Sequence, residues 1–287
     1  MGQPRGHAHR DRRVSDAFAA LQRLLPQHGL SRLAGKLAQS QTHWVRRALI
    51  RSFAHAYSVD LSEAASPRPD DYASFNDFFT RALAEGARPI ASDPNAIVCP
   101  TDGTVSQAGI IKAGNLLQAK GRTYTLASLL GDAHPRFHDG AFVTIYLAPR
   151  DYHRVHLPVS GKLVGATAIP GELFSVNART EASVQSLFAR NERLVCQFET
   201  AHGTVLVVLV GALIVASIET VWDGPASPYQ RRVHTPYSAD YQRGEEIGRF
   251  LLGSTVIVCF EPGRATLDEA LRSGTAVRMG QALGTLT

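Results

Sequence analysis

The chain has 287 residues, 44% of them hydrophobic and 19% charged, which are the proportions of an ordinary globular protein of one or two domains. Its three cysteines, Cys99, Cys196 and Cys259, exclude a disulfide framework by their odd number and fit no zinc or redox spacing, so a reducing compartment is expected. The net charge of +5 is uneven, because residues 1–56 hold ten Arg and Lys against two Asp, which leaves −3 on the rest. Such a basic arm indicates a polyanionic partner, either a membrane surface or a nucleic acid.

The N-terminal segment is expected to form helices rather than a targeting signal. Residues 1–14 are charged and no continuous apolar run follows them, so no secretory signal is expected. Apolar residues at helical spacing predict helices within residues 14–57, and the last of them, HWVRRALIRSFAHAY, combines Trp44 with three arginines. A basic amphipathic helix with a tryptophan is typical of a membrane interface. The alternative is a helical lid that packs on the domain and leaves its arginines in solvent.

A short helix and then a series of strands follow. Ser74 and Asp77 form a capping-box pattern, which predicts a short helix at SFNDFFTRAL. From about residue 97 the chain consists of short β-branched runs separated by Gly, Pro, Asp and Asn, among them TVSQAGII, GAFVTIYLAP, GKLVGATAI, RLVCQFET, GTVLVVLVGA and LIVASIETVW. The longest apolar run, residues 205–218, has fourteen residues and is too short to span a bilayer.

These patterns predict an α+β fold, with N-terminal amphipathic helices followed by a mostly antiparallel β body like a sandwich or barrel. Strands do not alternate with long helices, which disfavours a parallel doubly wound sheet. We therefore expect a basic helical, membrane-associating region over residues 1–60 and a β-rich catalytic domain over residues 61–287.

Three groups of residues could carry chemistry. Asp102 lies in CPTDGTV, where Asp-Gly between apolar runs is also typical of a hairpin turn. His153 and His156 lie in APRDYHRVHLP, and because no HExxH motif or acidic ligand accompanies them, no metal site is expected. Ser254 follows Gly253 inside the apolar run RFLLGSTVIVCF, which is not the G-x-S-x-G elbow of a hydrolase. A glycine inside a strand usually marks a bulge or a close backbone approach.

Together these residues indicate a reaction of the chain on itself. Asp, His and Ser far apart in sequence can form a nucleophile, its base and an orienting carboxylate. Since Ser254 directly follows Gly253, the carbonyl nearest to its hydroxyl is that of Gly253. We therefore predict self-cleavage between these two residues.

The motifs also match a known family. RFLLGSTVIVCFEPG resembles the LGST processing site of the phosphatidylserine decarboxylases, and DYHRVHLPVSG and PTDGTVSQAG resemble their histidine and aspartate motifs. SFNDFFTRAL, PGELFSVN and GALIVASIETVW resemble the family as well. The likeness covers residues 40–287 closely and the basic N-terminal helices more loosely.

The resemblance implies a self-processing, pyruvoyl-dependent decarboxylase. In this family the bond matching Gly253–Ser254 is cut, and the residue matching Ser254 becomes a covalent pyruvoyl group that accepts electrons when carbon dioxide leaves. The resemblance assigns His156, oriented by Asp102, to cleavage, and His153 to decarboxylation, for which a pKa near neutrality would suit proton transfer. The products would be chains 1–253 and 254–287.

The resemblance further implies phosphatidylserine as substrate and an anionic phospholipid membrane as partner, which suits the basic arm. Ser175, Val176 and Asn177 could line the head-group pocket, although such residues are also common in turns. Glu219 is either a paired buried carboxylate or a site residue. The family implies a homodimer of cleaved protomers, and we expect the protein on the cytoplasmic face of the inner membrane.

Other functions remain open on the sequence alone. A pyruvoyl decarboxylase of a soluble amino acid would not need the basic arm. A non-catalytic membrane-bound β module would leave Ser254 unreacted, and a Ser-His-Asp hydrolase would keep it as a serine. No aromatic-basic strand motif supports binding of a nucleic acid.

Overall fold

A computed structural model of the chain describes residues 35–212, 218–226, 228–251 and 254–287. Gly253 and the helices expected before residue 35 therefore lie outside the described residues. The described part has the predicted α+β composition, with a few helices and a mostly antiparallel β body.

The helices are short. They are α1 (His43–Tyr57), α2 (Phe75–Phe79), α3 (Leu126–Leu130), α4 (Ala178–Glu181) and α5 (Leu187–Arg190), with 3₁₀ turns at Pro69–Asp71, Ala119–Gly121 and Pro135–Phe137, and residues 35–38 are also helical. The predicted start of α2 is confirmed, because the N-cap Ser74 Oγ accepts from the Asp77 amide over 3.1 Å. The Asp77 carboxylate accepts from the Ala73 amide over 2.9 Å, one residue before the partner that a full capping box would use.

Short strands make up most of the body. They are β1 (Ala96–Val98), β2 (Gly103–Ile110), β3 (Asn115–Leu117), β4 (Thr123–Thr125), β5 (Ala141–Leu147), β6 (Arg154–His156), β7 (Gly161–Ile169), β8 (Arg193–Thr200), β9 (Gly203–Gly211), β10 (Ile218–Thr220), β11 (Gly224–Ala226), β12 (Val233–Tyr241), β13 (Glu246–Phe250), β14 (Ser254–Phe260), β15 (Ala265–Leu267), β16 (Ala276–Val277) and β17 (Ala282–Leu286). Five predicted runs coincide with β2, β5, β7, β8 and β9. Within the run LIVASIETVW, Ile218–Thr220 form β10. Residues 213–217 of the same run lie outside the described part.

The strands form open sheets rather than a closed barrel. The largest has the order β12-β7-β8-β9-β14-β5-β2-β16, and every neighbouring pair in it is antiparallel. Smaller sheets have the orders β11-β10-β13-β6, β1-β17-β15 and β3-β4.

Strand β14 lies inside the largest sheet and is buried on both faces. Val256 and Val258 point into one hydrophobic core, whereas Ile257 and Cys259 point into the other. This alternation follows from the two-residue repeat of a strand. Burial of both faces explains why β14 is apolar without interruption from Val256 to Phe260.

The run RFLLGSTVIVCF contributes to two strands rather than one. Its first two residues end β13, which pairs with β6 and β10 in the four-stranded sheet. The second half is β14, which pairs with β5 and β9 in the eight-stranded sheet. The chain therefore passes from one sheet to another between Phe250 and Ser254.

Helices α1 and α2 form a separate hydrophobic cluster. Ile50 of α1 is fully buried and packs with Phe75, Phe78 and Phe79 of α2. Trp44, near the start of α1, is 74% exposed. Within the described residues no helix has both the length and the apolar content needed to cross a bilayer.

All three cysteines are free and buried. The absence of a disulfide agrees with the prediction from their number. Burial raises the pKa of each thiol, so none is activated as a nucleophile.

Candidate active site

Ser254 is the first residue of β14 and is fully buried. Its backbone lies opposite Leu147 of β5 and Gly211 of β9. Hydrogen bonding on both edges of the strand therefore positions the residue. The Ser254 hydroxyl is therefore held in one place, where a neighbouring base can be positioned to accept its proton.

His153 is the histidine in contact with Ser254. The distance from Ser254 Oγ to His153 Nδ1 is 3.4 Å, and His153 Nε2 lies 3.0 Å from the carbonyl oxygen of Ala148. A carbonyl oxygen only accepts hydrogen bonds, so Nε2 carries the proton of the neutral ring. The unprotonated Nδ1 therefore faces the hydroxyl and can accept its proton.

His153 differs from expectation in its pKa. Full burial and, second, the nearby charge of Arg81 lower the pKa of His153 to about 3. The near-neutral pKa expected from the sequence is therefore wrong for this state of the protein. Desolvation disfavours the charged form of the imidazole, and no described carboxylate forms an ion pair or hydrogen bond with it.

His156 has other partners. Its Nδ1 lies 2.8 Å from the carbonyl oxygen of Gly244, which places the proton of the neutral ring on Nδ1. Its Nε2 then accepts a hydrogen bond from the Tyr152 hydroxyl over 2.9 Å, and the two rings are stacked. Burial is the main cause that lowers the pKa of His156. Both ring nitrogens are thus occupied by groups other than Ser254 and Asp102.

Asp102 is part of an ionic network. Its carboxylate accepts hydrogen bonds from Arg88 Nε over 2.9 Å and from the Met279 amide over 2.8 Å. Arg88 also donates to Glu63 over 2.8 Å, and its pKa is raised chiefly by its hydrogen bond to Asp102. Because β1 pairs with β17 and β2 with β5, the Asp102-Gly103 pair is not the turn of a hairpin between β1 and β2.

The structure thus brings Ser254 and His153 into contact and leaves His156 and Asp102 in neighbouring networks. A cavity of about 260 Å³ is lined by both Asp102 and Tyr152, together with Arg81, Arg88 and Asp151. This cavity connects the surroundings of the aspartate with the tyrosine that holds His156. Gly253 lies outside the described residues, so the description of this site begins at Ser254.

The residues predicted to line a head-group pocket have structural contacts. Asn177 is the N-cap of α4, where its Oδ1 accepts a hydrogen bond from the Thr180 amide over 3.0 Å. Val176 is buried in one of the two cores of the body, and Ser175 is partly buried. Their contact with a substrate remains a prediction. Glu219 is partly exposed and lies 3.8 Å from Arg249, as a paired carboxylate would.

Sequence reasoning missed Arg88 and Tyr152. Tyr152 lies within the DYHRVH motif, and its position between two acid–base residues was the signal that could have found it. Arg88 lies in a loop rich in Gly and Pro, and no local pattern connects it with Asp102 fourteen residues later. Only the fold brings these two side chains together.

Replacement of Arg88 by Met is expected to destabilise the protein, because it leaves the mostly buried carboxylate of Asp102 without its cation. Loss of one partner of a buried ion pair costs about 3 kcal/mol. The free energy of unfolding, measured by chemical denaturation, reports this loss.

The matched control is Arg68→Met, since Arg68 also pairs with an aspartate, Asp71, but its side chain is 79% exposed. The control is expected to unfold like the unmodified protein. Equal stability of the Arg88 and Arg68 variants would contradict a buried network at Asp102.

Comparisons with known proteins agree on one family. A family profile described as phosphatidylserine decarboxylase matches residues 75–285, and a second, described as PSD, matches residues 17–58. A protein of Methylococcus capsulatus is 51% identical over 93% of this chain and 96% of its own length. Proteins of Hahella chejuensis and Pseudomonas aeruginosa are 48% and 49% identical, each over 93% of this chain and over 93% and 96% of their own lengths. All three are named phosphatidylserine decarboxylase proenzyme. The chain belongs to the phosphatidylserine decarboxylase family.

Proposed function

We propose that the chain is a proenzyme that cuts itself before Ser254 and then converts phosphatidylserine to phosphatidylethanolamine and carbon dioxide. Membership of the family supports the overall reaction. The observation that carries the assignment to residue 254 is the position of its fully buried side chain, at the start of β14 and in contact with the His153 imidazole. A buried serine beside an imidazole can react only with what the fold places next to it.

Cleavage exchanges bonds within the chain. Ser254 Oγ adds to the carbonyl carbon of Gly253, the amide C–N bond breaks, and the nitrogen takes the hydroxyl proton, which leaves an ester and a free amine. Loss of the Ser254 Cα proton then breaks the Cβ–Oγ bond and releases the Gly253 carboxylate. The dehydroalanine that remains tautomerises to an imine, and water converts the imine to a ketone and ammonia.

The ketone formed in this way is a pyruvoyl group at residue 254, and the site fits it. The group keeps the Cα and Cβ atoms of the serine and loses Oγ, so it needs no more space than the buried Ser254 side chain. A pyruvoyl group supplies a carbonyl that binds an amine and accepts electrons when a neighbouring C–C bond breaks.

We assign proton exchange at the substrate carbon to His153. Its Nδ1 is the described side-chain base in contact with residue 254, and the ring is held by Ala148 and by a stack with Phe79. The low pKa keeps the ring neutral while the site is empty of anions. A substrate carboxylate next to Nδ1 would raise this pKa, because a nearby negative charge favours the protonated imidazole.

The fold retains both products of cleavage. Residues 254–287 contribute β14 between β5 and β9, β16 beside β2, and β17 beside β1. These ladders join the short chain to the long one through backbone hydrogen bonds at three separate places. The cut protein therefore keeps the geometry of the site.

The denatured intact mass of the purified protein tests the proposal. We expect two chains, 1–253 and 254–287, with the short chain lighter by one ammonia than a chain that begins with serine. The variant Ser254→Ala is expected to give one uncut chain, because it lacks the attacking hydroxyl.

One uncut chain in both folded proteins would contradict the proposal. A covalent adduct of an uncut Ser254 with a fluorophosphonate would then indicate a hydrolase. A cut chain that begins with serine would show cleavage without formation of the pyruvoyl group.

The two histidines are expected to separate into two functions. The assignment of His156 with Asp102 to cleavage stays a prediction, since His156 contacts Tyr152 in the described structure. We expect His156→Ala to remain uncut, and His153→Ala to be cut but to release carbon dioxide about 10²–10⁴-fold more slowly, as general acid–base groups commonly contribute.

Chain mass and release of labelled carbon dioxide distinguish these outcomes. An uncut His153→Ala protein would instead make His153, which contacts Ser254, the base of cleavage. Full decarboxylation by the cut His153 variant would remove this histidine from the reaction.

We further propose that α1 lies against an anionic membrane. The helix contains no acidic residue, and among the described residues Asp70 is the acidic partner of its arginines. The Asp70 carboxylate lies 3.5 Å from both Arg47 and Arg51, and its backbone carbonyl accepts from Arg46. Trp44 is 74% exposed although Ile50 on the same helix is fully buried. Exposed apolar and basic groups on one element suit a lipid interface. A homodimer and a place on the cytoplasmic face of the inner membrane stay predictions.

Sedimentation with phosphatidylglycerol vesicles tests the membrane proposal. Leu37 precedes α1 and Trp44 lies near its start, and both side chains are exposed. Replacing both with Ala is expected to weaken binding about tenfold for each side chain, because burying a large apolar side chain contributes about 1.5–3 kcal/mol. The matched control is Leu117→Ala, whose leucine is 41% exposed on β3. Equal binding by the double variant and the control would contradict a role for α1.

A further inference from the structure

The last residue of α2, Phe79, and Arg81 just after it contact the turn that carries His153. We call residues 148–153, between β5 and β6, the histidine turn. The ring of Phe79 stacks on the ring of His153 with 4.0 Å between centroids. Arg81 Nη2 donates to the carbonyl oxygen of Arg150 over 2.8 Å and to that of Asp151 over 3.2 Å.

The histidine turn is closed by hydrogen bonds at its first residue. The Ala148 amide donates to Asp151 Oδ2 over 2.7 Å, and the Ala148 carbonyl accepts from the Asp151 amide over 2.9 Å. The same carbonyl accepts from His153 Nε2 and so determines which ring nitrogen faces Ser254. A displacement of the turn would therefore move Nδ1 of His153 relative to residue 254.

Arg81 is a costly residue for stability alone. It is only 5% exposed, and burial is the main cause that lowers its pKa. Its Nη1 is buried and has no hydrogen-bond partner among the described residues. A buried donor without an acceptor costs stability. The guanidinium is, however, a rigid and charged donor that binds two adjacent carbonyl oxygens, those of Arg150 and Asp151, at the same time.

We propose that Arg81 is a positioning residue for decarboxylation, which holds the carbonyls of Arg150 and Asp151 and thereby places the His153 imidazole against residue 254. The role of His153 in this statement rests on the function proposed above. The contacts of Arg81 with the histidine turn do not depend on that function, because the structure shows them directly. Two residues of the SFNDFFTRAL motif, Phe79 and Arg81, would thus contribute to the reaction by positioning His153.

The test uses two readouts and the variant Arg81→Lys, which keeps the charge but not the planar fork. In the uncut Ser254→Ala protein labelled with ¹⁵N-histidine, the Nε2 proton of His153 is expected to give a protected signal, assigned by its loss in His153→Gln. Arg81→Lys is expected to shift this signal or expose it to exchange. In the cut enzyme, we expect kcat to fall between about tenfold and 10²-fold with KM unchanged, because the reacting groups are misplaced.

The matched control is Arg193→Lys. Arg193 is also buried, at 3% exposure, and donates to the carbonyl oxygens of Leu129 and Ser128. Both lysine variants are expected to lower the free energy of unfolding, since each loses hydrogen bonds to backbone carbonyls. Only the Arg81 variant is expected to change the His153 signal and kcat.

Three results would overturn the proposal. The first is an unchanged His153 signal and kcat in Arg81→Lys, and the second is an equal effect of Arg193→Lys. If Arg81→Lys does not fold, Arg81→Gln is assessed in the same way, and failure of both to fold would show that Arg81 supports the fold as a whole. The signal in the uncut protein needs no decarboxylation, so failure of the proposed function leaves this readout intact.

Discussion

Pairing of β14 on both edges is the constraint on which the site depends. The strand begins at Ser254, and this first residue is already paired with Leu147 of β5 and with Gly211 of β9. The two ladders therefore determine the position of Ser254. The preceding strand β13 ends at Phe250 and belongs to a different sheet, so the chain crosses between the sheets before it reaches the serine. The bond proposed to break therefore lies where the ladder of β14 has not yet begun. The rest of the short chain is anchored beyond it, so a cut there need not separate the two pieces.

The two histidines of one motif are in different chemical states because the fold gives each ring a different carbonyl partner. His153 donates through Nε2 and presents Nδ1 to Ser254, whereas His156 donates through Nδ1 and presents Nε2 to Tyr152. Burial lowers the pKa of both, so both rings are neutral bases near pH 7. Their hydrogen bonds, more than their identities, determine what each can do to the serine.

Much of the fold could be predicted from local pattern. The strands β5 and β9 are largely apolar and β-branched because both of their faces are buried, and the N-cap at Ser74 is encoded by residues three positions apart. The split between β13 and β14 could not be predicted in this way. An apolar run interrupted by glycine has the same local pattern whether it forms one bulged strand or two strands in different sheets.

The sequence by itself determined the α+β composition, the two-residue alternation of the buried strands and the family, because these depend on residue types at short spacings and on whole motifs. Only the tertiary structure decided that Asp102 accepts from the Met279 amide, that His153 Nδ1 faces Ser254, and that Arg81 and Phe79 support the histidine turn and its His153 ring. The physical reason is distance along the chain. Contacts such as those from Asp102 to Met279 and from His153 to Ser254 join residues more than one hundred positions apart, and no local pattern encodes which of many distant partners the sheets bring together.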